Sequence, residues 1–152
     1  MARIPTRPLV LVVDNDEDTR EMFVVSLTNM GFAAVGMDDG GRAYGRARHL
    51  RPDLIMTDLT LTDGEAWDFL RCLRADPMTK AIPVVAVSGH VGTAWRARAA
   101  AEGCASFVAK PCGPRDLAAE LRRVLERWPK GSVSPGIGPR PGGRLHDTLR
   151  SR

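Results

Sequence analysis

Cysteines are scarce in this chain, and their arrangement excludes two kinds of stabilisation. The three that occur, Cys72, Cys104 and Cys112, are widely spaced and belong to no CxxC pair and no Cys/His cluster. An odd number of cysteines without such a pattern argues against both a disulfide framework and a zinc site. We therefore expect a reducing, cytoplasmic environment.

Long apolar runs are missing as well. Residues 1–8 carry two arginines, but the apolar stretch that follows ends at residue 13, where acidic residues begin. Such a stretch is too short for a signal peptide or for a membrane-spanning helix. We expect no membrane partner.

The sequence also lacks the patterns by which proteins bind nucleotides and nucleic acids. No GxxxxGKS/T motif occurs and no GxGxxG motif follows a strand, which argues against a nucleotide site. The net charge is +4, yet residues 1–127 hold 17 basic and 17 acidic side chains, so the excess lies beyond them. Because a nucleic-acid-binding domain usually has a basic face on its folded body, we expect no specific nucleic-acid partner.

The remaining composition predicts one folded domain followed by a tail. Apolar residues make up 43% of the chain, enough for one ordinary core over residues 8–128. Residues 129–152 contain four prolines and five glycines and are predicted to form a disordered basic tail. A segment of this composition cannot form a helix-turn-helix, so the sequence predicts a domain that stands alone, without an output domain.

Strands and helices alternate along the predicted domain. Short β-branched runs ended by polar residues are typical of strands buried on both faces of a parallel sheet. The predicted strands are residues 9–13, 32–37, 54–57, 83–87 and 105–109, and the predicted helices are residues 16–30, 38–50, 65–75, 93–102 and 114–128. Strict alternation predicts an α/β fold: a doubly wound, five-stranded parallel sheet between two layers of helices.

Polar side chains follow four of these strands. Asp14 and Asp16 come after the first, Asp58 after the third, Ser88 after the fourth and Lys110 after the fifth. Since doubly wound sheets bind ligands outside the carboxyl ends of their strands, we expect these side chains to meet on one rim. Crowded carboxylates need a cation, and an all-oxygen set with water suits Mg²⁺. An aspartate there can attack a phosphoryl group while the metal and a lysine neutralise its charge.

Four segments occur in a characteristic order and spacing over about residues 9–127: LVLVVDNDEDTR, PDLIMTDLTLTDGEAW, IPVVAVSGH and FVAKP. Together they resemble the CheY-like family of response-regulator receiver domains from two-component signalling, which has a flavodoxin-like fold. The resemblance implies that Asp58 is the phosphoacceptor, Ser88 the switch hydroxyl and Lys110 the cation that faces the phosphoryl group.

The resemblance implies further roles around this centre. Asp14 and Asp58 would hold Mg²⁺ together with the backbone of Thr60, and Phe107 would be an aromatic switch. Thr60 and His90 would set the lifetime of the phosphoryl group. A cis peptide bond between Lys110 and the proline that follows it is common in the family.

Three departures from the family pattern bear on activity. Asn15 stands where a second acid usually binds the metal, and its amide oxygen brings no charge. Either Mg²⁺ binds weakly, or Asp16 takes over; Asp16 is equally explained as an acid at the start of a helix. Thr62 and Ala66 also differ from the family's usual residues in the loop after the phosphoacceptor.

The sequence therefore predicts a phosphoacceptor that is not an enzyme beyond its own phosphorylation and dephosphorylation. A histidine kinase or phosphotransfer protein would phosphorylate Asp58, and a downstream protein would bind the face made by the fourth helix, fifth strand and fifth helix. One alternative is a pseudo-receiver, an interaction module that is independent of phosphorylation, favoured by Asn15, Thr62 and Ala66. Another is a small phosphatase or phosphotransferase that uses Asp58 as nucleophile, although the sequence shows no second general acid.

Overall fold

The computed structural model describes residues 7–60, 64–90 and 92–128. In these residues five strands alternate with five helices, and each boundary lies within two residues of its predicted position. The strands are β1 Leu9–Val13, β2 Ala33–Met37, β3 Leu54–Asp58, β4 Val84–Ser88 and β5 Ser106–Ala109. The helices are α1 Glu17–Asn29, α2 Gly40–Leu50, α3 Glu65–Ala75, α4 Thr93–Ala101 and α5 Pro114–Arg127. The predicted tail, 129–152, and Thr62 lie outside the described residues.

All strand pairs in the sheet are parallel, and the strand order is β2-β1-β3-β4-β5. From β1 the chain first winds outward to β2, then returns across to β3 and continues to β5. The order therefore reverses between β1 and β3, and ligands of such sheets bind in the crevice at this reversal, beyond the carboxyl ends of the strands. β3 and β4 are buried along their whole length, as continuous apolar strands of a covered parallel sheet should be.

Two apolar cores lie on opposite faces of this sheet. Alternate residues of β1 point into different cores: Leu11 packs with α2, α3 and α4, and Val10 packs with α1 and α5. This alternation is the pleat of the strand, since successive side chains point to opposite faces. The predicted three-layer α/β/α architecture is confirmed. No helix in the described ranges is long and apolar enough to cross a bilayer.

A buried arginine connects two segments at the end of the sheet that lies opposite the strand reversal. The guanidinium of Arg74, at the end of α3, donates to the carbonyls of Lys80 and Ile82, which precede β4. It lies against Gly103, which follows α4 with a φ of +91°; a Cβ there would stand 2.9 Å from Arg74 Nε. Glycine at position 103 thus serves both the left-handed turn and the close approach of the arginine.

Two glycine substitutions should therefore have opposite effects on stability. Gly103→Ala forces a side chain into left-handed backbone and against Arg74, and should lower the free energy of unfolding by about 2 kcal/mol. Gly45→Ala, on the exposed face of α2 with open space around it, should raise that free energy by about 0.5–1 kcal/mol. Urea unfolding followed by circular dichroism measures both. Equal stability of Gly103→Ala and the parent protein would contradict this account of the turn.

Candidate functional site

The centre of the site is a pair of buried carboxylates on two neighbouring strands. Asp14 directly follows β1, and Asp58 is the last residue of β3. The two strands are paired in register, with Val13 opposite Thr57, so both acids emerge at the strand reversal. Asp14 is 1% exposed and Asp58 is 4% exposed. Both acids therefore reach the same rim of the sheet, as predicted from the sequence.

Lys110 bridges the two carboxylates. Its Nζ donates to Asp58 Oδ2 at 3.0 Å and to Asp14 Oδ2 at 3.2 Å. The lysine follows β5, and its backbone N–H donates to the carbonyl of Ser88 at the end of β4. The Lys110–Pro111 peptide bond is cis, as the family resemblance implies. One ammonium is thus shared by two carboxylates that come from separate strands.

Burial and charge shift the pKa values of two members of this cluster. Burial raises the pKa of Asp14, and it outweighs the opposing effects of the Asp16 N–H and the Lys110 ammonium. Burial alone would lower the pKa of Lys110, but its hydrogen bond to Asp58 and the charges of both carboxylates outweigh burial and raise that pKa. Lys110 therefore stays a cation at neutral pH.

Thr60 fixes the orientation of the Asp58 carboxylate. The Thr60 backbone N–H and its hydroxyl both donate to Asp58 Oδ1, at 2.8 Å and 2.7 Å. The other oxygen, Oδ2, accepts the bond from Lys110. Each oxygen of Asp58 thus has its own hydrogen-bond partners.

Ser88 lies beside this centre but is not bonded to it. It is completely buried at the end of β4, the neighbour of β3, and its Oγ accepts a hydrogen bond of 2.9 Å from the backbone N–H of His90. Within the part of the chain that the structure describes, no hydrogen bond joins Ser88 Oγ to Asp58 or to Lys110 Nζ. The hydroxyl is held by the chain that follows it.

The geometry favours a helix-capping role for Asp16. Asp16 precedes α1, and its Oδ2 accepts bonds from both the backbone N–H and the hydroxyl of Thr19. Those two bonds lower the pKa of Asp16. Asn15 is exposed on the same turn. Binding of a metal by Asn15 or by Asp16 stays a prediction.

The oxygen atoms gathered here suit Mg²⁺. Among residues 7–60, 64–90 and 92–128, no group of three or more His, Cys, Asp or Glu side chains is arranged to hold a metal. Mg²⁺ usually needs fewer, since it binds through one or two carboxylates, keeps several waters and takes further oxygens from phosphate. Asp14 and Asp58 supply two buried carboxylates, and neutral oxygens are carried by Asn15, next to Asp14 in the chain, and by the backbone of Thr60, two residues after Asp58.

Aromatic contacts around α4 were not predicted from the sequence. His90 stacks on Trp95 with ring centroids 4.5 Å apart, and Trp95 in turn leans on Trp67 at 5.6 Å. The Arg96 guanidinium lies 4.7 Å from the ring centroid of Phe107, which is half-buried on β5. These partners come from different elements, so no spacing within one segment of sequence could have revealed them.

Comparison with known proteins identifies the family that the sequence motifs resemble. The family model of the response regulator receiver domain matches residues 10–122. The chain is 35% identical over 121 residues to the DNA-binding response regulator MtrA of Mycolicibacterium smegmatis, covering 80% of this chain and 52% of that protein. It is 31% identical over 118 residues to the phosphate regulon transcriptional regulatory protein PhoB of Escherichia coli, covering 78% and 52%. The chain thus spans about half the length of these curated relatives.

A solved structure agrees in fold. The chemotaxis response regulator CheY4 of Vibrio cholerae superposes with a TM-score of 0.74 at 26% identity, covering 79% of this chain and all of that one. The fold and the site define a class of protein: doubly wound α/β domains in which a lysine bridges two buried carboxylates at the strand reversal. Within that class, the chain belongs to the response regulator receiver domain family.

The raised pKa of Asp14 makes a prediction about stability. The pKa of Asp14 is higher in the folded protein than its value of 3.8 in the unfolded chain. Its contribution to stability is therefore fully present below pH 3.8, and it is lost as pH rises through the pKa of the folded protein. Asp14→Asn removes the ionised group, so at pH 7 it should raise the free energy of unfolding by about 1 kcal/mol. The gain should shrink as pH falls towards 4 or below. Denaturation at several pH values measures this, and a less stable variant at pH 7 would refute it.

Proposed function

We propose that Asp58 accepts a phosphoryl group from a phosphohistidine of a histidine kinase or phosphotransfer protein, and that this changes how the domain binds a downstream protein. The observation that carries the proposal is Lys110 Nζ, 3.0 Å from Asp58 Oδ2 and 3.2 Å from Asp14 Oδ2. Asp58, the proposed nucleophile, thus shares one hydrogen-bonded cluster at the strand reversal with a cation and a second carboxylate.

The chemistry follows from these groups. A carboxylate oxygen of Asp58 attacks phosphorus, the P–N bond to the donor imidazole breaks, and the departing ring nitrogen keeps the electron pair and takes up a proton. The product is an acyl phosphate, which water later hydrolyses to the carboxylate and inorganic phosphate. Lys110 lies within reach of the transferring oxygens and neutralises part of their charge. Mg²⁺, held by Asp14, Asp58, the Thr60 carbonyl and Asn15, would supply further neutralisation when bound.

Ser88 would act as the switch in this scheme. Its hydroxyl is buried one strand away from Asp58 and is engaged with the N–H of His90. A phosphoryl group on Asp58 offers a charged acceptor that the unmodified site lacks, so it binds better to the arrangement in which Ser88 turns towards it. The shift between two arrangements is driven by that difference in affinity. Thr60 and His90, which flank the acceptor and the hydroxyl, would tune the lifetime of the acyl phosphate.

The changed surface is proposed to be the face of α4, β5 and α5. Phe107, the proposed aromatic switch, is half-buried on β5 with the exposed Arg96 of α4 over its ring. Inward movement of Phe107 would remove the ring beneath Arg96 and alter this face for a downstream protein.

The phosphodonor would approach from the side of α1. A groove of about 350 Å³ beside the site is lined by Thr19, Met22, Phe23, Lys110, Pro111 and Cys112. Met22 is 41% exposed and Val25 on the same helix is 53% exposed, so an apolar surface adjoins the site. Because a donor histidine must reach Asp58, its protein would cover this surface.

We infer that phosphorylation is a stoichiometric modification of the protein itself. The protein would be a phosphoacceptor with self-phosphorylation and self-dephosphorylation, and it would turn over no external substrate. A cytoplasmic location, the absence of a specific nucleic-acid partner and a disordered tail stay predictions from the sequence. The pseudo-receiver alternative differs in one respect: it requires no phosphoryl group on Asp58.

Phosphorylation of Asp58 is tested with acetyl phosphate and Mg²⁺. The parent protein should gain one phosphoryl group by intact mass spectrometry, and Asp58→Asn should gain none. Asp18→Asn is the matched control, because Asp18 is an exposed acid in the first turn of α1 and should leave labelling unchanged. An unlabelled parent protein would favour the pseudo-receiver, and equal labelling of Asp58→Asn would move the acceptor elsewhere.

The effect of Asn15 on Mg²⁺ binding is a separate prediction. Asn15→Asp adds a third carboxylate beside Asp14 and Asp58 and should tighten Mg²⁺ binding roughly tenfold. Calorimetric titration without any phosphodonor measures it. Asn29→Asp, at the exposed end of α1, adds the same charge away from the site and should leave the affinity near that of the parent. Identical affinities for the Asn15→Asp and parent proteins would show that Asn15 does not limit metal binding.

A further inference from the structure

A continuous series of contacts runs from the switch hydroxyl to helix α4. Ser88 Oγ accepts the backbone N–H of His90 at 2.9 Å. The imidazole of the same residue stacks on Trp95 in the first turn of α4, with planes 9° apart and centroids 4.5 Å apart. Trp95 leans against Trp67, which is 8% exposed and belongs to the core beneath α3. His90 therefore contacts Ser88 through its backbone and α4 through its ring.

These aromatic contacts matter because none of the residues in the first turn of α4 is buried. Along Thr93–Ala101 the one buried residue is Ala99, in the last turns of the helix. The residue before the helix is Gly92, which has no side chain to cap it. Trp95 is the large apolar side chain of the first turn, and its ring faces are shared with His90 and Trp67. The stack thus holds this turn together with the contact of Arg96 on the Phe107 ring.

We propose that the stack of His90 on Trp95 is a latch that keeps the Ser88 hydroxyl where it lies while Asp58 is unphosphorylated. His90 and Trp95 are then positioning residues for the switch. The proposal rests on the function proposed above for Ser88. While the rings are stacked, the N–H of His90 stays directed at Ser88 Oγ. Ser88 Oγ can move towards Asp58 only by losing that hydrogen bond or by drawing the backbone of residue 90 with it, and the second route opens the stack or carries Trp95 along.

The latch has a definite direction. It stabilises the arrangement of the unphosphorylated protein, because the aromatic stack adds to the hydrogen bond between His90 and Ser88. Weakening it should therefore make the phosphorylated arrangement easier to reach. If the stack only packed the protein, weakening it would leave binding to the phosphorylated arrangement unchanged or make it weaker.

The first measurement uses the unmodified protein. Amide hydrogen exchange at residue 90 reports the bond to Ser88 Oγ and needs no metal or phosphodonor. Trp95→Leu should speed this exchange about fivefold, whereas Trp95→Phe, which keeps a ring to stack on, should stay near the parent rate. Arg98→Ala is the matched control: Arg98 is on α4 like Trp95, and its guanidinium lies 4.2 Å from the ring centroid of Trp67 on α3, so it touches the far end of the same series of contacts. Unchanged exchange in Trp95→Leu would overturn the latch.

The second measurement tests its direction. Beryllofluoride with Mg²⁺, which imitates a phosphoryl group on a carboxylate, should bind Trp95→Leu and His90→Ala about fivefold more tightly than the parent. His90→Phe should restore the parent affinity. Weaker or equal binding in the first two variants would overturn the proposal. If the parent binds no beryllofluoride, the proposed phosphoacceptor function fails, while the exchange rates still decide whether the stack holds residue 90 against Ser88.

Discussion

One ammonium group holds together two buried carboxylates that would otherwise repel each other. Lys110 Nζ lies within hydrogen-bond distance of Asp14 and Asp58, each less than 5% exposed. Burying two like charges is costly, and the cost is tolerated only when an opposite charge and further hydrogen bonds compensate it. The Thr60 bonds to Asp58 and the Asp16 N–H bond to Asp14 complete that compensation. The cluster thus holds two buried carboxylates and one ammonium together at the expense of stability, an arrangement that the proposed phosphoryl transfer would use.

The sheet topology brings this cluster about. Because the strand order reverses between β1 and β3, Asp14 and Asp58 emerge side by side, and β5 delivers Lys110 from the far side of β4. No loop has to travel far to assemble the site. This is why the same rim could be predicted from residues spread over nearly a hundred positions of sequence.

What the sequence could predict follows from the same topology. Alternating strands and helices determine where strands end, so the meeting of Asp14, Asp58 and Lys110 followed from the order of elements alone. Side-chain choices are decided locally and could not be read in advance: Asp16 turns to Thr19, and Ser88 turns to the N–H of residue 90. Contacts such as Arg96 over Phe107 join different elements, and they depend on how α4 packs against the sheet.

The proposed function requires that the Asp58 carboxylate and the Lys110 ammonium act on one phosphoryl group. A crystal structure with Mg²⁺ and beryllofluoride tests this requirement directly. We expect beryllium bonded to a carboxylate oxygen of Asp58, Lys110 Nζ within hydrogen-bond distance of a fluoride, and Ser88 Oγ turned towards another fluoride. An adduct on a different side chain, or an Asp58 adduct with Lys110 extended into solvent, would contradict it.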